Sequence, residues 1–196
     1  YLLYNWTTRR VEGSGIIERI GLAHPIMKQE TAAGKVIKHE IECKDHECGM
    51  QIIFEALTNK ETGVISELSM IKGVGHRVVH GGEKFKDSVL IDGLDGEVLN
   101  TFKMLVPLAP LHNPANIAGI ECALKLLPFI PHVAIMDTAF LQTMPDFVYL
   151  YALPYEWYTK YRVRRYGFHG TSHFYVSRRA AVMLSRDINK CNLITC

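Results

Sequence analysis

The sequence predicts an α/β fold, a mixed sheet flanked by helices. Three observations predict it. Three strand-like runs open the chain, apolar residues at helical spacing recur between later runs, and strand and helix alternate from Val74 onward. A meander feeding an alternating tail is the pattern of a sheet covered by helices.

Tyr1 to Trp6 is aromatic and apolar, and Gly15 to Leu22 alternates loosely through Ile16, Ile17, Ile20 and Leu22. Lys35 to Glu42 sets Val36, Lys38 and Glu40 against Ile37, His39 and Ile41, a half-buried strand. Residues 22–34 and 59–72 read as surface connections. Asp45 caps a helix whose Met50, Ile53, Phe54 and Leu57 share one face, and the helix ends near Asn59. Val74 to Val79 is a short buried strand before Gly81-Gly82. Leu94, Val98, Phe102 and Leu105 mark a second helix.

Pro107, Pro110 and Pro114 hold the next segment as an extended loop, since none donates a backbone hydrogen bond. Asn113 caps a helix with Pro114 at its first position and Ile117, Ile120, Leu124 and Leu127 on its face. His132 to Met136 is a strand leading into Asp137-Thr138. A loop rich in Tyr and Pro follows. Thr171 or Ser172 then caps a helix with Val176, Ala180 and Met183, and Asn192 to Thr195 begins another strand.

Composition narrows the function classes. At 196 residues, one substantial domain can bury roughly 70% of its unfolded surface. An apolar fraction of 48% with 21% charged residues excludes a disordered or collagen-like chain. Twenty-two basic against 20 acidic residues leave no bulk charge for nucleic acid or membrane. No apolar run approaches the roughly 18 residues of a spanning helix. Five cysteines in an odd, scattered set do not form a disulfide framework, so a cytoplasmic setting is expected. Tyr1 at the start, and Cys196 at the end of an apolar run, lead us to expect a piece of a longer protein.

Four segments carry residues suited to chemistry. In Gly73 to Glu83, alternation puts Arg77 and Val79 on one face and His76, Val78 and His80 on the other. A charge inside a buried strand must be paired, either in a structural ion pair or as a clamp for a carboxylate or phosphate. His112 stands in a proline-bounded loop ahead of a helix, where free backbone N–H groups suit an anion. Asp137 leaves a buried strand where ligands gather in open α/β sheets. It suits magnesium-linked or acid/base work, or merely a turn. His169 lies between glycines beside Phe168.

Three of the four repeat one theme, with Arg77 near Val79, His112 after Leu111 and His169 after Phe168. A donor beside an apolar wall suits a small ligand with one anionic end and one short hydrocarbon end.

Two further patterns carry less. Cys43 to Cys48 lacks the second Cys/His pair of a structural zinc site, and reads as cysteines flanking a helix start. Lys160, Arg162, Arg164 and Arg165 mix with tyrosines like a nucleic-acid patch, but the small net charge favours a solvated loop or one attracting phosphorylated ligands.

Taken together, Gly75-His-Arg-Val-Val-His-Gly-Gly-Glu83, Ala109-Pro-Leu-His-Asn-Pro-Ala-Asn116, Met136-Asp-Thr-Ala-Phe-Leu-Gln-Thr-Met-Pro145 and Tyr166-Gly-Phe-His-Gly-Thr-Ser-His173 resemble the acetate kinase (acetokinase) family from about Glu18 to Cys196. The resemblance implies a ribonuclease-H-like domain of the acetate and sugar kinase/heat-shock/actin superfamily. It also implies reversible phosphoryl transfer from ATP to acetate, giving acetyl phosphate and ADP. By motif position, Asp137, His169 and His112 would be catalytic, and Arg77, Val79, Leu111 and Phe168 would bind the acyl substrate. Mg2+ would accompany ATP, on ligands expected mostly outside these residues.

The family also suggests a homodimer, formed largely outside this chain, while the charge balance and apolar pattern point to no nucleic-acid or membrane partner. Residues 1–196 would be the N-terminal, acetate-binding domain, truncated at both ends. The family's Asn-x-Gly-Ser-Ser-Ser phosphate loop would precede it, and a nucleotide-binding domain would follow. Two departures are visible, Leu141 where a histidine is common and Ala115 where a proline is common. A propionate- or butyrate-type acyl kinase would keep these motifs, and a non-enzymatic acyl-phosphate-binding or dimerising module is the other alternative.

Overall fold

The computed structural model describes residues 1–196, which group into two compact units. The first comprises residues 1–74 and 118–131, the second residues 75–117 and 132–196.

The first unit is built on a four-stranded antiparallel meander, β1 (Leu2–Asn5), β2 (Arg10–Glu18), β3 (Ile26–Thr31) and β4 (Val36–Glu40), in that order. It has one strand more than the sequence predicts. β3 lies inside the expected surface connection 22–34. Its Met27 and Gln29 point inward and are almost fully buried, while Lys28 and Glu30 face out. A buried glutamine hid the alternation. Its amide donates to the Thr62 carbonyl at 3.0 Å and its oxygen accepts from the Tyr1 hydroxyl, so the polar group is satisfied.

β2 also starts earlier than expected, at Arg10. It stops at Glu18 because Arg19 and Gly21 take left-handed backbone conformations. Against this sheet stands α1 (His46–Thr58), capped by Asp45 through a 2.8 Å bond from the Cys48 amide. Phe54 and Leu57 of its apolar face join Ile71 and Leu127 in a core. Residues 59–72 hold no strand or α-helix, yet Ile71 from their end is core.

The second unit carries a mixed sheet of order β5-β7-β6, from β5 (Val74–Val78), β7 (His132–Met136) and β6 (Val89–Leu90). Val74 N donates to Pro131 O at 2.9 Å and Asp137 N to Val78 O at 3.0 Å, so β5 and β7 run parallel. β6, which the sequence reading lacked, adds antiparallel to β7. Helix α2 (Glu97–Met104) takes its cap from upstream, both Asp92 oxygens accepting from the Glu97 and Val98 amides. Phe102 and Leu99 of α2 are fully buried.

Five expectations change here. The proline segment is not extended, because Val106–Leu108 forms a 3-10 turn, with Pro107 where a missing N–H costs nothing. Helix α3 (Asn113–Leu126) includes Asn113 rather than being capped by it. The Tyr- and Pro-rich loop contains two short helices, α4 (Asp146–Tyr149) and α5 (Tyr155–Tyr161), each opened by a proline. The last helix, α6 (Gly170–Met183), begins ahead of Thr171 and Ser172, so neither caps it. Residues 192–195 are not a strand, since no neighbouring edge pairs with them.

Candidate active site

The end of β5 is where the second unit concentrates its polar chemistry. After Val78 the chain leaves the sheet, and its backbone groups pass to side chains from two distant segments. Val79 N donates to Asn116 Oδ1 at 3.1 Å, and His80 N donates to Asn113 Oδ1 at 3.2 Å. His80 O accepts from Asn113 Nδ2 at 3.1 Å, and Gly81 N donates to Thr138 Oγ1 at 3.0 Å. Asn113 therefore acts as a two-way latch, holding the loop of His112 against the strand of Arg77. Gln142 ties in Gly82 O at 2.9 Å. A loop whose backbone is paired this fully keeps one conformation.

Arg77 and Asp137 meet directly. Arg77 Nε is 3.0 Å from Asp137 Oδ1, and Nη2 is 2.8 Å from Oδ2, a bidentate contact between the adjacent parallel strands. Hydrogen bonding to the carboxylate, and then its charge, raise the guanidinium pKa further. The arginine is paired as the sequence requires, but it is not buried. Its side chain is 66% exposed against 3% for Asp137, because the face bearing Gly75 and Arg77 is open to solvent. Of its five N–H groups, those off Nη1 remain available to a ligand oxygen.

Asp137 reaches a third motif through its backbone. Its carbonyl accepts from Gly170 N at 2.8 Å, seating the start of α6 on the end of β7. A side chain at Gly170 would place Cβ 2.5 Å from that oxygen, so only glycine permits the approach. His169 precedes it in a left-handed conformation (φ 56°) and is exposed. Phe168, also partly exposed, sets its ring edge-on to His80 at 5.8 Å. Leu111 and His112 are solvent-exposed, Leu111 at 87%.

Below this surface lies a charged hub. Glu83 accepts from Arg164 Nη1 at 2.8 Å and from the Tyr158 hydroxyl at 2.9 Å, with Arg162 Nη1 3.6 Å away. Arg164 is 4% exposed in its side chain and lies 3.6 Å over the face of Tyr149. Its Nη2 has no hydrogen-bond acceptor, and the ring face supplies the partner charge density instead. Burial, then the Arg164 charge, push the His80 pKa down to about 4. His80 is thus neutral, with Nδ1 accepting from Gly82 N at 3.0 Å. The reading of 160–165 as a solvated loop fails at Arg164, which is core, while Lys160, Arg162 and Arg165 are exposed.

A sequence profile described as the acetokinase family matches residues 1–196 in full. The chain belongs to the acetokinase family. Among acetokinase relatives, the acetate kinase of Geobacter sulfurreducens is 51% identical over 195 residues, covering 100% of this chain and 46% of that protein. The crystal structure of Porphyromonas gingivalis acetate kinase superposes with a TM-score of 0.89 at 44% identity, over 97% of this chain and 47% of that one. A propionate kinase from Francisella tularensis superposes at 0.85 and 37% identity, over 95% and 46%. The fold is therefore that of the acetokinases, an α/β domain of the acetate and sugar kinase/actin type. The chain spans about half the length of the curated relatives it matches.

Within this acetokinase chain, four distant motifs are linked by side-chain and backbone bonds. Of the seven residues singled out from sequence, Arg77 and Asp137 touch each other. His169 and Phe168 follow from the Gly170 and His80 contacts, and Val79, Leu111 and His112 from the asparagine latch. Glu83, Asn113, Asn116, Thr138 and Arg164 were not recognised as site-building residues. Only Glu83, a charge set directly after two glycines in a buried stretch, carried a usable signal.

No group of three or more His, Cys, Asp or Glu side chains is arranged to hold a metal ion, and Arg77 holds both oxygens of Asp137. The residues present do not by themselves fit a magnesium site. No helix is long and apolar enough to cross a membrane.

Proposed function

We propose that the protein carrying this chain is an ATP-dependent acetate kinase, and that residues 1–196 form its N-terminal, acetate- and acetyl-phosphate-binding domain. The observation that carries the reading is the exposed Arg77 held bidentately by buried Asp137. A cation fixed in direction and open to solvent on one side suits an incoming carboxylate or phosphoryl oxygen. In the proposed reaction an acetate oxygen attacks the γ-phosphorus in line, and the bond to the ADP oxygen breaks. Reversal uses the same positions.

In this reading Arg77 orients the carboxylate, and Val79, Leu111 and Phe168 face the methyl group. His169, assisted by His112, donates to the phosphoryl oxygens in transit, and Asp137 keeps Arg77 in place and serves the catalytic centre. Positioning and charge neutralisation supply most of the catalysis in such a transfer. Magnesium would accompany the nucleotide and neutralise its phosphates, with ligands expected mostly outside this chain. We further propose a cytoplasmic homodimer acting on neither nucleic acid nor membrane, a reading supported by the odd, scattered cysteines and balanced charge of this chain.

The resemblance to a propionate kinase structure supports a second reading, an acyl kinase taking a longer acid through the same motifs. Trapping the acyl phosphate as a hydroxamate separates them. The full-length parent should turn over acetate with the higher kcat/KM, whereas a preference for propionate or butyrate would move the assignment to that acid. No acyl phosphate from any of the three would overturn the kinase reading and leave a binding module. The isolated 196-residue chain should show no turnover in the same assay, and a rate near that of the parent would refute the division of labour proposed.

A further inference from the structure

The segment from Cys43 to Cys48 takes no part in the site above, and its geometry is specific. It lies in the first unit, at the turn that starts α1. Cys43 stands two residues before the capping Asp45, and Cys48 is the third residue of the helix. The turn folds the two side chains toward each other. Cys43 Sγ reaches forward to Asp45 O at 3.4 Å, and Cys48 Sγ reaches back to Glu42 O at 3.5 Å. These two crossing contacts bring both thiols to the same turn.

Their surroundings differ. Cys43 is 4% exposed and packs over Gly49, whereas Cys48 is only half-buried and open to solvent. Burial, with Cys48 and Asp45 alongside, pushes the Cys43 thiol up, so it stays protonated while Cys48 meets the reagent first. One accessible thiol on the same turn as one sheltered thiol is the arrangement of an attacked and a resolving cysteine.

We propose that Cys43 and Cys48 form an oxidative modification site, whose reagent is hydrogen peroxide and whose product is a Cys43–Cys48 disulfide. Cys48 sulfur attacks the peroxide O–O bond, gaining a hydroxyl as sulfenic acid while the second oxygen leaves as water. Cys43 sulfur then attacks the Cys48 sulfur. The S–S bond forms, the S–OH bond breaks, and the hydroxyl departs with the Cys43 proton as a second water. The dithiol loses two electrons and two protons, and the peroxide is reduced to two waters. Little chain entropy is lost in closing so short a loop, because the capped turn already ties both thiols to its own carbonyls. Cys122 is the competing thiol, with its Sγ 3.7 Å from Glu47 O at the same end of α1.

The reduced 196-residue chain, treated with an equimolar amount of hydrogen peroxide, alkylated and digested, tests this. The peptides bearing Cys43 and Cys48 should be recovered cross-linked, lighter by two hydrogens, and reopened by dithiothreitol. In Cys43→Ser the cross-link should vanish, and dimedone labelling of Cys48 should rise about tenfold as the sulfenic acid persists. A Cys48–Cys122 cross-link would overturn the proposal. So would Cys48 advancing to sulfinic acid beside a free Cys43, or a reduced pair while exposed Cys196 is oxidised.

Discussion

Arg77 and Asp137, 60 positions apart in sequence, are joined by contacts of 3.0 and 2.8 Å, with the carboxylate buried and the guanidinium open. Exposure on one side and restraint on the other distinguish this pair from a surface ion pair, which orients nothing. In the full-length parent, Arg77→Ala should lower kcat/KM for acetate by roughly 10²–10³, the usual effect of removing one oriented donor from a reacting oxyanion. Arg77→Lys should recover little, since an ammonium cannot reproduce the fork. An unchanged KM and kcat in Arg77→Ala would remove Arg77 from the substrate site.

Glu83 is the counter-charge of buried Arg164. Glu83→Gln leaves that guanidinium without an anion and should destabilise the chain by about 3 kcal/mol in urea unfolding. Tyr158→Phe removes only one neutral donor to the same carboxylate and should cost about 1 kcal/mol. Equal effects from the two would show that the charge is not what matters at this hub.

Asn113 bridges both backbone groups of His80. Asn113→Ala strands a buried donor and a buried acceptor, and a loss of about 2–3 kcal/mol is expected. Asn113→Asp keeps the acceptor for His80 N but offers no donor to His80 O, so it should fall between. In the parent enzyme both variants should also slow turnover, because the loop bearing His112 is released from the end of β5.

His76 and His80 make stability depend on pH. Burial, and then His132, lower the His76 pKa from 6.5 to about 4; burial, and then Arg164, do the same at His80. Between these values an unfolded chain binds protons that the folded chain does not. Stability therefore falls as pH drops from 6.5 toward 4, by roughly 1.4 kcal/mol per pH unit for each histidine, and this loss ends below about 4. Urea midpoints at stepped pH values, compared between the natural chain and His80→Asn, would isolate one share. A variant with the same slope as the natural chain would contradict the burial argument.

Gly170→Ala is sterically excluded by Asp137 O, at 2.5 Å from the added carbon. α6 must then move off the end of β7 and carry His169 with it. A displacement of about 1 Å near the reacting atoms costs on the order of a hundredfold in rate, which initial rates of the parent variant would register. Undiminished kcat would mean that the seat of α6 does not set the position of His169.

Elements with strong local signals were legible. α1 lies almost where Asp45 and the Met50-Ile53-Phe54-Leu57 stripe put it, because cap and face are short-range patterns. β3 has no local signature because its inward Gln29 is polar and satisfied by Tyr1, Ala56 and Thr62, residues that no local window contains. The helices α4 and α5 sit in a tract whose prolines read as loop but serve as helix starts. Arg164 read as solvated because composition says nothing of the ring beneath it.

By itself the sequence determined the α/β class, the four chemical motifs and the resemblance to the acetokinases, since these are properties of residue type and spacing. Only the tertiary structure decided that Arg77 pairs with Asp137, that Asn113 latches His80, that Glu83 answers Arg164, and that the Cys43 and Cys48 thiols cross one turn. The reason is directional. A hydrogen bond or ion pair depends on where two side chains point within about an ångström, and that is settled by the packing of distant elements rather than by any run of neighbours.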